Sequence, residues 1–117
     1  MIKTDILIIG AGPVGLFSVF EAGLLKMKCH LIDVLPKPGG QCIELYPKKP
    51  IYDIPGYPEI LAGDLIKNLI QQCRQFEPGF TLGEKAEKLE KQKDGSFNVI
   101  TDKGTLHNAP IVVIAGG

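Results

Sequence analysis

Between residues 4 and 9 the chain is rich in Ile and Leu and almost unbroken by polar residues, the pattern of a parallel strand buried on both faces. From Pro13 the residues Val14, Leu16, Phe17, Val19, Phe20 and Leu24 have helical character. Pro13 suits the first turn of that helix, where its missing N–H loses no hydrogen bond, and the helix is predicted to end near Lys26. A second apolar run, residues 29–33, completes strand, helix and strand over residues 4–34, the length of one βαβ unit with a right-handed crossover.

The pattern then changes. Residues 35–58 carry Pro36, Pro38, Pro47, Pro50, Pro55 and Pro58, too many for regular structure. They also carry Ile43, Leu45, Tyr46, Ile51, Tyr52, Ile54 and Tyr57, which a solvated linker would not expose, so an ordered loop is expected, with Tyr52 read as cover for the core. An amphipathic helix follows, starting at Gly63 or Asp64, with Leu65, Ile66, Leu69, Ile70, Cys73 and Phe76 at three- and four-residue intervals; it should pack on the sheet. After Phe80-Thr-Leu, short strands at 86–92, 96–101 and 105–107, joined by turns at Asp94-Gly95 and Asp102-Lys-Gly104, predict a three-stranded antiparallel meander. Residues 111–115 read as another buried parallel strand, which makes the fold class α/β.

The chemistry concentrates where the first strand turns into the first helix, at Gly10-Ala-Gly-Pro-Val-Gly15. In a Gly-x-Gly-x-x-Gly turn the first glycine permits the tight turn, the second lets backbone approach a pyrophosphate, and the third lets helix and strand pack closely. The helix N-terminus behind it favours negative charge. The same motif also occurs as a bare strand-to-helix turn, so the companion residue matters: Asp33 ends the next strand 18 residues after Gly15. A Rossmann half places an acid at such a strand tip, about 20 residues on, to accept hydrogens from ribose hydroxyls.

Composition narrows the partners. With 117 residues, 44% of them hydrophobic, the chain can bury the core of one small domain. Thirteen basic and thirteen acidic residues leave a formal net charge of zero, so neither nucleic acid nor an anionic membrane is expected as a partner. The apolar N-terminus is interrupted by Asp5 and the glycine cluster, unlike a signal peptide or membrane helix. Cys29, Cys42 and Cys73 form no Cys-x-x-Cys and no even-numbered framework, which suits a reducing cytoplasm and indicates no metal site. The chain closes on an apolar strand and Gly116-Gly117, and reads as the N-terminal piece of a larger protein.

Strand, helix, meander and return strand favour FAD over a nicotinamide dinucleotide, and the loop residues sharpen this reading. The series Gly39-Gly40-Gln41, Leu45-Tyr46-Pro47 and Ile51-Tyr-Asp-Ile-Pro-Gly56 resembles the flavin-proximal segment of two-domain flavoprotein reductases. Over essentially its whole length the chain is similar to the thioredoxin-reductase-like type of ferredoxin/flavodoxin–NADP reductase. That resemblance implies a Rossmann-like FAD-binding domain, parallel sheet with helices plus meander, of which residues 1–117 are the N-terminal portion and from which the NADPH-binding domain is absent. It implies that Gly10, Gly12, Pro13, Val14, Gly15 and Gly40 line the cofactor and that Asp33 binds the adenosine ribose. Gln41 would hydrogen-bond the flavin side, Tyr46 would contact the flavin ring, and Ala86 would meet adenine through its backbone. Ala115 and Gly116 would pass near the pyrophosphate. NADPH would reduce the flavin, which would pass electrons to ferredoxin or flavodoxin; no catalytic side chain is expected in this segment, which alone would be inactive. The full-length relatives are commonly dimeric, so a homodimer is implied.

Two positions depart from the family pattern, which often has Glu where Asp33 stands and a bulkier aliphatic where Ala86 stands. Glutathione-reductase-like enzymes place a second cysteine five residues after the one at Cys42; here that position is Pro47, so Cys42 is read as packing. His30 and His107 show no partner pattern that suggests catalysis. Two other readings stay open: a thioredoxin reductase or another FAD-dependent oxidoreductase with a different acceptor, and a non-catalytic nucleotide-binding module.

Overall fold

The computed structural model describes residues 1–117, apart from the side chains of Gln41 and Cys42. Strand β2 (Ile6–Ile9) leads into helix α1 (Pro13–Leu24) and strand β3 (Cys29–Asp33), as the apolar pattern predicts. Helix α1 stops where Lys26 takes a positive φ of 62° and the N–H groups of Leu25, Lys26 and Met27 close back on the carbonyls of Ala22 and Gly23.

The segment 35–58 is ordered. It contains a short helix α2 (Gly40–Glu44) and a strand β4 (Pro50–Ile51) paired antiparallel with β5 (Ile60–Leu61). Only part of its apolar content is covered: Ile43, Ile51 and Ile54 pack against the core, whereas Leu45, Tyr46 and Tyr57 stay exposed. Tyr52 is 67% exposed, so it does not cover the core as its apolar neighbours suggest; its β-hairpin turns the ring to solvent.

Helix α3 (Ala62–Arg74) follows β5 without a side-chain cap. Its first N–H groups are taken instead by the loop, Ala62 donating to the Lys49 carbonyl at 2.9 Å and Gly63 to the Pro47 carbonyl at 2.7 Å. Asp64 in the first turn and Arg74 in the last complement the helix dipole.

Strand β6 (Gly79–Leu82), β7 (Ala86–Lys91), β8 (Phe97–Thr101), β9 (Leu106–Ala109) and β10 (Ile111–Ile114) complete the chain. Two sheets result. The first is wholly parallel, in the order β10-β2-β3-β6. The second holds the predicted meander, β9-β8-β7 antiparallel, extended by a fourth strand β1 (Ile2–Lys3) that pairs parallel with β9. Neither β1 nor β6 stands out in the hydrophobic pattern, and both exist through pairing with strands distant in sequence.

Side-chain alternation sets the layers. Ile6, Ile8 and Leu31 point to a core shared with Leu16 and Val19 of α1 and Leu65, Ile66, Leu69 and Cys73 of α3. Leu7 and Ile32 point to the opposite face, where they meet Val99 and Ala109 of the meander. The parallel sheet is therefore sandwiched between helices and meander, and the C-terminal ends of β2 and β3 open at one edge, beside the N-terminus of α1.

Candidate functional site

At that edge the chain turns through Gly10 with a φ of +114°, a conformation that side chains resist. A Cβ on Gly10 would also land on the Ala115 carbonyl, because Ala115 returns beside the turn and donates its N–H to the Ile9 carbonyl at 2.7 Å. Gly15 answers a different demand: a Cβ there would strike the Gly10 carbonyl oxygen, so its absence lets α1 press directly on the turn. Gly12, the N-cap of α1, faces the backbone of Gly40. The Gly39 N–H donates to the Ala11 carbonyl at 2.7 Å, which clamps the start of the loop onto the turn.

The N-terminus of α1 has Pro13 in its first turn, no side-chain cap and no acidic residue. Its unpaired amide dipoles thus open beside Gly12, which faces Gly40, and beside Gly10, where Ala115-Gly116 returns, a mouth edged by the backbone of these residues. Such a mouth can take a diphosphate, by hydrogen bonds and by the helix dipole.

Asp33 is aimed at this turn. One carboxylate oxygen accepts the Ala11 N–H at 2.7 Å and the other accepts the Leu35 N–H at 2.9 Å. A carboxylate offers about four acceptor positions, so two remain for a vicinal diol. The backbone carbonyl of Asp33 meanwhile accepts the Glu84 N–H at 3.2 Å, and the Leu35 carbonyl accepts the Gly83 N–H at 3.0 Å. These bonds bring the segment before Ala86 alongside the acid. Ala86 itself packs toward Leu7, Ile32, Val99 and Ala109 and begins β7 at a register irregularity.

The remaining predicted residues lie further out. Val14 is exposed on the first turn of α1 and lines, with Phe17, Ile54 and Tyr57, an open groove of about 960 Å³ between α1 and α3. Tyr46 is 56% exposed on the turn that caps α3, with the Lys49 ammonium 5.3 Å from its ring centroid. Together with Ile51, Tyr52 and Asp53 these residues border a second hollow of about 480 Å³. The side chain expected of Gln41 in flavin contact, and the packing role read for Cys42, lie outside the described residues.

Sequence reasoning missed the support beneath the site. The Ala11 and Leu35 amides that hold Asp33 leave no trace in side-chain chemistry. Glu84 accepts the hydroxyls of Thr101 at 2.6 Å and Thr105 at 2.7 Å, and these two bonds, Thr101 first, hold its carboxyl below the usual carboxylate range. His30 and His107 do have a common partner, Thr81, on the strand that the pattern concealed.

No family model matches the chain. Over all 117 residues it is 75% identical to ferredoxin–NADP reductase 1 of Christiangramia forsetii, 72% to the ferredoxin–NADP reductase of Flavobacterium johnsoniae and 60% to that of Mesorhizobium japonicum. It spans about a third of the length of these relatives, 33%, 33% and 34% respectively. Among solved structures, thioredoxin reductase from Streptococcus pyogenes superposes with a TM-score of 0.84 at 26% identity, covering 98% of this chain and 35% of that one. A cyclohexanone monooxygenase superposes with a TM-score of 0.78 at 21% identity, covering 100% of this chain and 27% of that one, a likeness of fold alone. The resemblance read from the loop motifs thus extends along the whole chain, and the α/β architecture is that of part of the thioredoxin-reductase-like proteins.

Proposed function

We propose that this chain is the FAD-holding segment of a ferredoxin–NADP reductase. The observation that carries the reading is the approach of Gly40 to Gly12 and of Ala115-Gly116 to Gly10, at the turn into the uncapped start of α1, with Asp33 bonded to the same turn. The cradle suits a dinucleotide because glycine at positions 10 and 15 lets Ala115 and α1 close tightly on the turn, because Gly12 and Gly40 add no side chain where they face each other, and because Asp33 retains acceptor capacity beside it.

In this reading Gly12, Val14 and Gly15 offer backbone to the pyrophosphate, Pro13 starts the helix without a competing N–H, and Asp33 takes the adenosine ribose. Ala86 meets adenine through its backbone, Gly40 and Gln41 lie on the flavin side, and Tyr46 borders the ring. Bound flavin supplies the redox chemistry, accepting two electrons from a nicotinamide and releasing them singly. The residues here bind and orient; none is asked to transfer a proton.

NADPH as donor and ferredoxin or flavodoxin as acceptor come from the similarity to named ferredoxin–NADP reductases, and a homodimer and cytoplasmic location from the same resemblance. Residues 1–117 would then be the N-terminal portion of the FAD domain, with NADPH bound by a separate one. No described helix is long and apolar enough to cross a membrane. The exposed pair Lys48-Lys49 offers a point of attraction for an acidic acceptor.

Titrating the chain with FAD, FMN and NAD tests the reading. A saturable change in flavin absorbance with FAD, reversed by ADP and not produced by FMN, is expected, because the adenylate half is what Asp33 and Ala86 hold. Binding of NAD with no flavin response would replace this reading by that of a nucleotide-binding module without redox function.

A further inference from the structure

Between the parallel sheet and the meander lies a buried polar chain unrelated to the glycine turn. His30 of β3, Thr81 of β6 and His107 of β9 are all buried, as is Val99 of β8. The Thr81 hydroxyl oxygen is 2.7 Å from His30 Nε2 and 2.8 Å from His107 Nε2, and His107 Nδ1 is 3.3 Å from the Val99 carbonyl oxygen. The two rings are 5.1 Å apart.

Donor and acceptor arithmetic orders this chain. A carbonyl only accepts, so His107 Nδ1 carries the proton that faces Val99, and in the neutral ring Nε2 holds a lone pair. Thr81 must then donate its single hydroxyl hydrogen to His107 Nε2. With that hydrogen committed, the contact with His30 requires His30 Nε2–H to donate to the Thr81 oxygen. His30 is left with a lone pair on Nδ1, set against Gly79, where a Cβ would collide with that nitrogen. The order runs one way, from β3 through β6 to β9 and β8, so it ties one sheet to the other.

We propose that His30, Thr81 and His107 form a latch between the two sheets that holds while His107 is neutral, and that a proton on His107 releases it. The two histidines respond differently to acid. His30 takes its proton at Nδ1, off the chain, and all three links survive. His107 takes its proton at Nε2, which turns the acceptor into a donor facing the Thr81 O–H; that link is lost. Of the titratable and charged groups, His30 on β3 and Glu84 on the segment after β6 face His107, and His107 faces His30. Burial opposes protonation of both rings, more than the hydrogen bonds to His107 and the Glu84 carboxylate favour it there. Beyond the latch, the apolar contact between the sheets rests on Leu7, Ile32, Val99 and Ala109, with Ile9, Ala86 and Val112 at its margin. Losing the polar link therefore leaves the two sheets joined through this small apolar cluster.

Ring-nitrogen spectra of the isotopically labelled 117-residue chain test the latch. At neutral pH a single tautomer is expected for each ring, Nδ1–H for His107 and Nε2–H for His30. On acidification below pH 6.5 the ring transition of His107 should coincide with loss of methyl contacts between Ile32 and Val99, while backbone amides within each sheet stay protected. In Thr81→Val the hydroxyl that favours neutral His107 is gone, and its ring transition should move up by roughly half to one pH unit. Thr81→Ser should restore the parent behaviour. Mixed or reversed tautomers, intersheet methyl contacts that outlast the His107 transition, or an unmoved transition in Thr81→Val would each overturn the proposal. Should Thr81→Val not fold, the tautomers and methyl contacts of the parent and of Thr81→Ser decide it.

Discussion

At the scale of single residues, the site is defined by missing atoms and one carboxylate. Gly15→Ala drives a methyl group into the Gly10 carbonyl, and neither backbone can yield without moving α1 off the turn. A loss of about 1–3 kcal/mol is expected, measurable by urea unfolding, together with weakened FAD binding. Gly116→Ala is the informative contrast, since a Cβ there meets open space. Stability should stay within about 0.5 kcal/mol of the parent, so any fall in FAD affinity reports ligand contact and not folding. Asp33 combines both roles, because its carboxylate holds the Ala11 and Leu35 amides as well as facing the proposed ribose. Hydrogen bonds to charged groups contribute about 1.5–3 kcal/mol, so Asp33→Ala should lower both stability and FAD affinity. Asp33→Asn, which keeps an acceptor oxygen for one amide, should recover part of the stability while still binding FAD more weakly. Equal flavin affinity in Asp33→Asn and the parent would remove Asp33 from the site.

At the scale of elements, the sequence was legible where one segment's pattern suffices and opaque where a partner decides. The first strand, both long helices and the meander follow from period, turn residues and Pro13. The strand β6 does not, because Gly79-Phe-Thr-Leu82 is short, half polar and a strand only by pairing with β3. For the same reason Thr81 went unnoticed between two histidines that are 77 residues apart in the chain. In the site, the glycines and Asp33 were readable because each carries a spacing. The amides that hold Asp33 and the loop carbonyls that cap α3 were not, because any residue supplies them. Phe76 shows how an element borrows from beyond its end: it lies past α3, its ring occupies the space over Gly23 of α1, and it meets Phe20 edge-on at 5.8 Å. Phe76→Ala should cost about 2–3 kcal/mol, less than a fully buried phenylalanine. Gly23→Ala should destabilise the parent through collision with that ring yet be tolerated, or favourable through helix propensity, once Phe76 is Ala. A double-mutant cycle by urea unfolding reads this change of sign; additive effects would mean that the two residues do not meet.

At the scale of the whole molecule, the two faces of the parallel sheet are unequally held. Among the described residues, thirteen buried apolar residues join sheet and helices, against four between sheet and meander, so hydrogen exchange should find β2 and β3 better protected than β7. Buried titratable groups on these faces also bound the pH range in which the fold is most stable. Burial, with His107 as a second cause, pushes His30 from 6.5 down to about 4. The unfolded chain therefore binds more protons between those values, and stability is complete above pH 6.5 and falls as pH drops toward 4, by up to about 3 kcal/mol from this ring. His107, also lowered by burial, acts in the same direction. The thiols bound the other side. Burial raises Cys29 and Cys73 from 9.0 to about 11, assisted by Asp5 and by Cys29 respectively, and the Cys73 thiol donates to the Leu16 carbonyl. Here the folded chain holds protons that the unfolded chain releases, so their contribution is complete below pH 9 and is lost as pH rises through 11, again about 3 kcal/mol for each. Urea midpoints measured from pH 4 to 11 should form a plateau between about 6.5 and 9 with a fall on either side. Cys73→Ala should lower the plateau, because a buried side chain is cut, yet flatten the alkaline limb, because one of the groups that titrates there is gone. An alkaline limb of unchanged slope in that variant would mean that the limb comes from groups other than the buried thiols.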